Sequence, residues 1–347
     1  MLCLEVRPYR RPFCQPLRTA HGAWTAREGL ILRFQDEQGH VTFGEIAPIP
    51  WFGTETLVQA QAFCDRWPRQ FSPEQVSEIP DSLPACQFGF SAVHLLAEAL
   101  TSAIGPHPKS VSQPWNRGSA TLPAPGANFG PADICALLPT GAMALTHWPT
   151  LWQAGHRTFK WKIGVAAVAE ELAIFEALVA ALPVGAQLRL DANGGLTPKV
   201  AASWLTACDR APITIEFLEQ PLAPAAILAW LPQIRGRFDT AIALDESVAT
   251  FAQLKRVYQQ VGQQVVYVVK PAITGCPQRL LQFCQRQHLD VVLSSALETP
   301  VGRNAAFDSA CELWAAGIPK RALGFGIGHW FQDDWEDLSE ADVWAQL

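Results

Sequence analysis

Lys160, Lys162, Asp191, Asn193, Glu219, Asp245, Lys270, Ser294 and Ser295 each close or follow a short apolar run, and all are costly to take out of water. Asp191, Glu219 and Asp245 follow one another at intervals of 28 and 26 residues, close to the span of one strand-plus-helix unit. Three carboxylates brought together repel unless a cation lies among them, and an all-oxygen donor set suits a hard ion such as Mg2+ or Mn2+. Lys160 and Lys162 precede this trio and Lys270 follows it. Lysine, with an unperturbed pKa of about 10.4, is a poor base at neutral pH, but a nearby dication and a second ammonium both lower that value. Lys160 stands two residues from Lys162 and so on the same face of a strand, which makes Lys162 the candidate base. With a metal drawing charge from a bound carboxylate, the set reads as machinery for removing the proton next to that carboxylate.

Taken singly, each residue is ordinary: a strand-end Asp often caps the next helix, and a rim Lys often runs its stem along the surface into water. What the set needs is a frame that gathers strand ends. Candidate strands lie at Gly118 to Leu122, Thr158 to Ile163, Gln187 to Asp191, Thr214 to Leu218, Ala241 to Leu244, Val265 to Val269 and Asp290 to Leu293, with Ala322 to Phe325 as an eighth or its remnant. Val168 to Ala181 and Pro277 to Gln287 are helical candidates between them. A parallel barrel brings every C-terminal strand end to one face, whereas an open sheet spreads them along an edge, so a closed barrel is expected. Ahead of it, GLILRFQDEQGHVTFGEIAP reads as a hairpin turning at Asp36 to Gly39. Helices are expected over Thr54 to Trp67, capped by a threonine, and over Ala85 to Ala103, with a Pro- and Ser-rich linker at Pro106 to Gln113.

The 347 residues suffice for one barrel plus a modest second domain, and 49% apolar against 17% charged residues describes a globular chain. A formal charge of −6 with no Lys/Arg run leaves nucleic acid and anionic membranes without an electrostatic footprint, so a small-molecule partner is expected. Nine scattered cysteines without a CxxC pair fit reduced thiols. With no apolar leader and no run of about 20 apolar residues, a cytoplasmic protein is expected.

FKWKIG, LRLDANGG, IEFLEQP, ALDES and VVKPAITG, in this order, resemble the barrel signature of the enolase superfamily in its muconate-lactonizing branch, and GEIAPIPWFGTET is similar to the cap loop of that branch. The resemblance implies an α/β architecture, a modified (β/α)7β TIM-like barrel over residues 111–325 behind an N-terminal α+β capping domain over 1–110, with the tail, 326–347, returning to the cap. It assigns Asp191, Glu219 and Asp245 to Mg2+, with Mn2+ as a possible substitute, Lys162 and Lys270 to the two faces of the site, and Lys160 and Asn193 to supporting places. Glu216 and Glu246 lie beside ligands and are supporting candidates. SSALETPVGR, from Ser294 to Arg303, resembles the seventh-strand segment of o-succinylbenzoate synthases, which places Ser294 and Ser295 near substrate. That family implies a lyase: dehydration of 2-succinyl-6-hydroxy-2,4-cyclohexadiene-1-carboxylate through an enediolate, with Lys162 as base and then acid, on the route to menaquinone or phylloquinone. The alternatives in the branch are an N-succinylamino-acid racemase and a dipeptide epimerase, the latter disfavoured because no DxD stands near that strand. From another class, a Schiff-base aldolase would use a barrel lysine but would have no use for three acids.

Arg18, His21 and the Pro50 to Thr54 turn are candidates for shaping the substrate pocket, although a Pro-Trp-Phe-Gly turn is more often simple packing. GFGIGH, Gly324 to His329, lacks the spacing of a phosphate-binding loop and reads as a tight turn, and His329 is assigned nothing.

Overall fold

A computed structural model describes residues 1–19, 22–94, 96, 129–326 and 330–347. The strand at 118–122, the linker at 106–113, the far end of the 85–103 helix, the Arg18 side chain, His21 and His329 fall outside the described residues.

Alternation of apolar and polar residues builds the N-terminal sheet. Strands β1 (Leu2–Thr19), β2 (Gly22–Asp36), β3 (Val41–Ile46) and β4 (Gln70–Phe71) pair antiparallel in the order β3-β2-β1-β4. Asp36 makes the β2–β3 turn, its Oδ1 accepting the N–H groups of Gln38 and His40 at 2.9 and 2.8 Å. Helix α1 (Leu57–Arg66) starts later than the sequence suggests: Thr56 is its cap, in a capping box with Gln59. Thr54 instead accepts the Ile49 N–H at 2.8 Å and folds the 50–54 turn. Helix α2 (Pro84–Phe90) is capped from afar by the Glu55 carboxylate, which accepts the Ala85 and Cys86 N–H groups. Leu30, Leu32 and Phe34 bury against Phe71 and Phe90 to form the core of this layer.

The second sheet is parallel, seven-stranded and consecutive: β5 (Ala136–Leu138), β6 (Thr158–Lys162), β7 (Gln187–Asp191), β8 (Thr214–Glu219), β9 (Ile242–Leu244), β10 (Val266–Val269) and β11 (Val291–Leu293). β5 went unread in the sequence because three residues are too few to show a period. Residues 322–325 make the closing contacts. Leu323 bridges to Ile134 just before β5, and Gly324 bridges to Ser294 just after β11, so the ring shuts on itself. Between the strands run α3 (Ala144–Gln153), α4 (Val168–Ala181), α5 (Pro198–Asp209), α6 (Pro224–Ile234), α7 (Phe251–Val261), α8 (Pro271–Thr274), α9 (Pro277–Gln287) and α10 (Pro300–Ala315). Trp161, Phe175 and Trp204, all essentially buried, pack edge to face between strand and helices.

The two layers are joined at Ile49, Phe88, Ala249, Ala272, Ile273 and Ala296, a buried apolar cluster beside the barrel mouth. The tail adds a second junction. Phe331 bridges to Phe13, the fully buried Arg11 pairs with Asp333 and Glu336 at 2.7 and 2.9 Å, and Arg7 stacks 4.1 Å above Trp344 of α11 (Glu340–Gln346). All nine cysteines are free thiols. No described helix is long and apolar enough to cross a membrane.

Candidate active site

Parallel register sets the site. Lys162, Asp191 and Glu219 are laterally paired across β6, β7 and β8, and Glu219 pairs with Ala243, two residues before Asp245. Side chains alternate along a strand, so Lys160 falls on the same face as Lys162 and reaches across to both acids. Its Nζ lies 2.7 Å from Asp191 Oδ2 and 2.8 Å from Glu219 Oε1. Lys270 caps β10 and pairs with Asp245 from the far side of the acids. A cavity of about 730 Å³ opens at this end of the barrel, lined by Lys160, Lys162, Asp191, Asn193, Glu219, Asp245, Lys270, Ser294 and Ser295. Nine side chains spread along the sequence thus share one mouth.

The electrostatics are those of a crowded, poorly hydrated site. Burial works against the Asp191 charge, yet Lys160 beside it and the Asn193 N–H hold this carboxyl below the usual range. Burial and the neighbouring Asp191 push Glu219 up despite Lys160. Burial likewise lowers Lys270, to about 8, against the pull of Glu219 and Asp191. Glu246 is raised to about 7 by burial and by Asp191 and Glu219; Asn193 donates to one of its oxygens at 3.2 Å, and the other is buried without a partner. Glu216, by contrast, sits below the mouth at the bulge where the β7–β8 register shifts, and is held in ion pairs with Arg189 at 2.6 Å and Arg321 at 2.8 Å.

Among the described residues no three His, Cys, Asp or Glu side chains converge closely enough to hold a metal ion. Asp191 and Glu219 share the Lys160 ammonium, and Asp245 has taken Lys270. The donor set nevertheless fits a hard divalent cation: three carboxylates on adjacent strand ends, with an ammonium standing in for positive charge between two of them.

Residues 146–338 match the family described as enolase C-terminal domain-like, and residues 6–97 match the N-terminal domain of MenC. An o-succinylbenzoate synthase of Thermosynechococcus vestitus is 41% identical over 327 residues, 93% of this chain and 92% of that protein. The chain belongs to the o-succinylbenzoate synthase family of the enolase superfamily. A member from Klebsiella pneumoniae is 29% identical over 84% of this chain and 82% of its own length. The crystal structure of o-succinylbenzoate synthase from Thermosynechococcus elongatus, complexed with Mg in its active site, superposes with a TM-score of 0.80 at 39% identity, covering 99% of this chain and 100% of that one. The L-Ala-D/L-Glu epimerase of Bacillus subtilis shares the fold, with a TM-score of 0.69 at 21% identity over 95% and 91% of the two chains.

Against this o-succinylbenzoate synthase background, the structure adds residues that sequence reading missed. Gln220, fully buried and at φ 36°, accepts the Asp245 and Ser247 N–H groups and donates to Ser247 Oγ and Leu222 O, stitching the end of β8 to that of β9. Its signal was its place directly after Glu219. Arg189 lines the cavity one layer below Asp191, legible from the i, i+2 alternation of LRLD. Leu297, within the SSALETPVGR segment, also lines it, as do Thr140, His147, Leu151 and Trp330, which nothing in their local sequence marked. Of the cap candidates, the 50–54 turn places the Phe52 ring 5.1 Å from Lys270 Nζ.

Proposed function

We propose that the chain dehydrates 2-succinyl-6-hydroxy-2,4-cyclohexadiene-1-carboxylate to o-succinylbenzoate, as a hydro-lyase. The observation that carries this reading is the opposition of Lys162 and Lys270 across three strand-end acids, in a chain 41% identical to an o-succinylbenzoate synthase along nearly its whole length. Asp191, Glu219 and Asp245 are the residues that would hold Mg2+. When bound, that ion supplies a Lewis acid for the charge that develops on the substrate carboxylate.

Lys162 reaches the cavity from β6 and, as the free amine, takes the proton from the carbon bearing the carboxylate. The C–H electron pair forms the new ring double bond as the C–O bond to the neighbouring hydroxyl breaks. The same Lys162, now an ammonium, returns its proton to that oxygen, so water leaves from the face the proton came from and the ring becomes aromatic. Lys270, buried under Phe52, presents its charge from the opposite side. Lys160 and Asn193 hold the acids in place.

The test offers the purified protein this substrate, an N-succinylamino acid and a dipeptide in parallel, with Mg2+ present. Dehydration is expected, to be lost with EDTA and restored by Mg2+ or Mn2+. Efficient racemisation without dehydration would overturn the reading, and so would full activity after exhaustive chelation.

A further inference from the structure

The loop that follows β11 forms one wall of the cavity, and its backbone is unusual. Leu297 lines the cavity at φ 63°, a left-handed conformation that a leucine adopts only when its surroundings impose it. Glu298, 3% exposed, folds back so that one carboxylate oxygen accepts the Ala296 N–H at 2.6 Å and the Ser295 hydroxyl at 3.0 Å, and Ser295 Oγ accepts the Leu297 N–H at 2.8 Å. Both flanks of the same loop are gripped by the cap. Arg27 of β2, 1% exposed, donates to Ala296 O at 3.1 Å as well as to the carbonyls of Ala47 and Pro48. Glu45 of β3, also 1% exposed, accepts the Thr299 N–H at 2.9 Å, the Thr299 hydroxyl at 2.5 Å and the Gly302 N–H at 2.9 Å, while Tyr9 donates to it at 2.5 Å.

We propose that Glu298 is a positioning residue for substrate binding: it folds Ser295 to Leu297 into the cavity wall, and Arg27 and Glu45 fix that wall to the docked cap, so these two cap residues set the wall's shape without themselves lining the cavity. The reaction assigned above is presupposed. Glu298 touches none of the strand-end acids in its hydrogen bonding, so its contribution lies in how well substrate is held and not in proton transfer. Its second oxygen is buried without a hydrogen-bond partner, and burial together with the nearby Glu45 raises this acid to about 7, so a neutral side chain of the same shape fills the role.

The experiment measures kcat and KM for the cyclohexadiene substrate with the wild type, E298A and E298Q, each with a thermal melt. E298A is expected to raise KM roughly tenfold, the scale of lost hydrogen-bonded support, with kcat within about twofold of wild type. E298Q, which still accepts from Ala296 and Ser295, is expected to restore KM. If E298A does not fold, L297G decides: glycine adopts φ 63° freely, so its melting point is expected to hold or rise while KM still increases. An unchanged KM in E298A or in L297G overturns the proposal, as does an E298Q as impaired as E298A, or a loss confined to kcat. A wild type that does not dehydrate the substrate overturns the assigned reaction, and this proposal with it; wild-type turnover with unaltered variants removes the proposal alone.

Discussion

At the scale of the residue, the proposed chemistry divides between two lysines that the barrel holds apart. Lys162 stands in the cavity wall, whereas Lys270 is buried, lies beneath Phe52 and is paired with Asp245. A Lys162→Ala variant is therefore expected to lose turnover by a factor of about 10² to 10⁴, the usual share of general acid–base catalysis, while keeping its affinity for Mg2+ by titration calorimetry. Undiminished turnover would remove Lys162 from the role of base. The acids were legible as a set because three carboxylates at strand-plus-helix spacing make little sense apart from a cation. Their present partners were not legible, since which ammonium each carboxylate meets depends on distances between strands.

At the scale of the element, β3 and α10 meet at close quarters. A Cβ on Gly302 would lie 2.8 Å from Glu45 Oε2 and 2.9 Å from Glu298 Cβ, so only glycine lets the helix approach the cap carboxylate. Gly302→Ala is expected to destabilise the protein by about 1–3 kcal/mol, the cost of overpacking a closed interface, read as a lower denaturant midpoint at unchanged slope. The same junction carries a pH dependence. Glu298, raised to about 7 by burial and by Glu45, exerts a weak pull on the Lys270 charge, and Tyr9 donates to Glu45 with Arg27 nearby. The unfolded chain releases the same proton near pH 4.3, at about the model-peptide value. The folded state thus holds the extra proton between about 4.3 and 7, so stability falls as pH rises through that window and levels off above it. Melting points between pH 5 and pH 8 are expected to fall less steeply in Glu298→Gln than in the wild type; parallel curves would contradict this.

Across the whole molecule, the ends of the chain are tied together. Arg11 is fully buried, and its charge is met by Asp333 and Glu336 of the tail, with Phe331 stacked 3.7 Å from its guanidinium. Removing both acids leaves a buried cation unpaired, which costs about 3–5 kcal/mol. The Asp333→Ala, Glu336→Ala double variant is expected to melt well below wild type, and a melt within a degree or two of it would show the tail to be dispensable.

The periodicity of the sequence was enough to place six of the seven barrel strands, the β2–β3 hairpin and the residues at the strand ends, because alternation and strand-to-helix spacing are local properties of the chain. It did not reveal β5, three residues long, or the true cap of α1, where Thr54 and Thr56 offer the same chemistry and packing chooses between them. Closure of the ring by Leu323 and Gly324, the strained turn at Leu297 and the grip of Arg27 and Glu45 on the loop after β11 belong to the tertiary structure alone. Each joins groups far apart in the chain, and no local pattern records which distant carbonyl or carboxylate will be there to complete the bond.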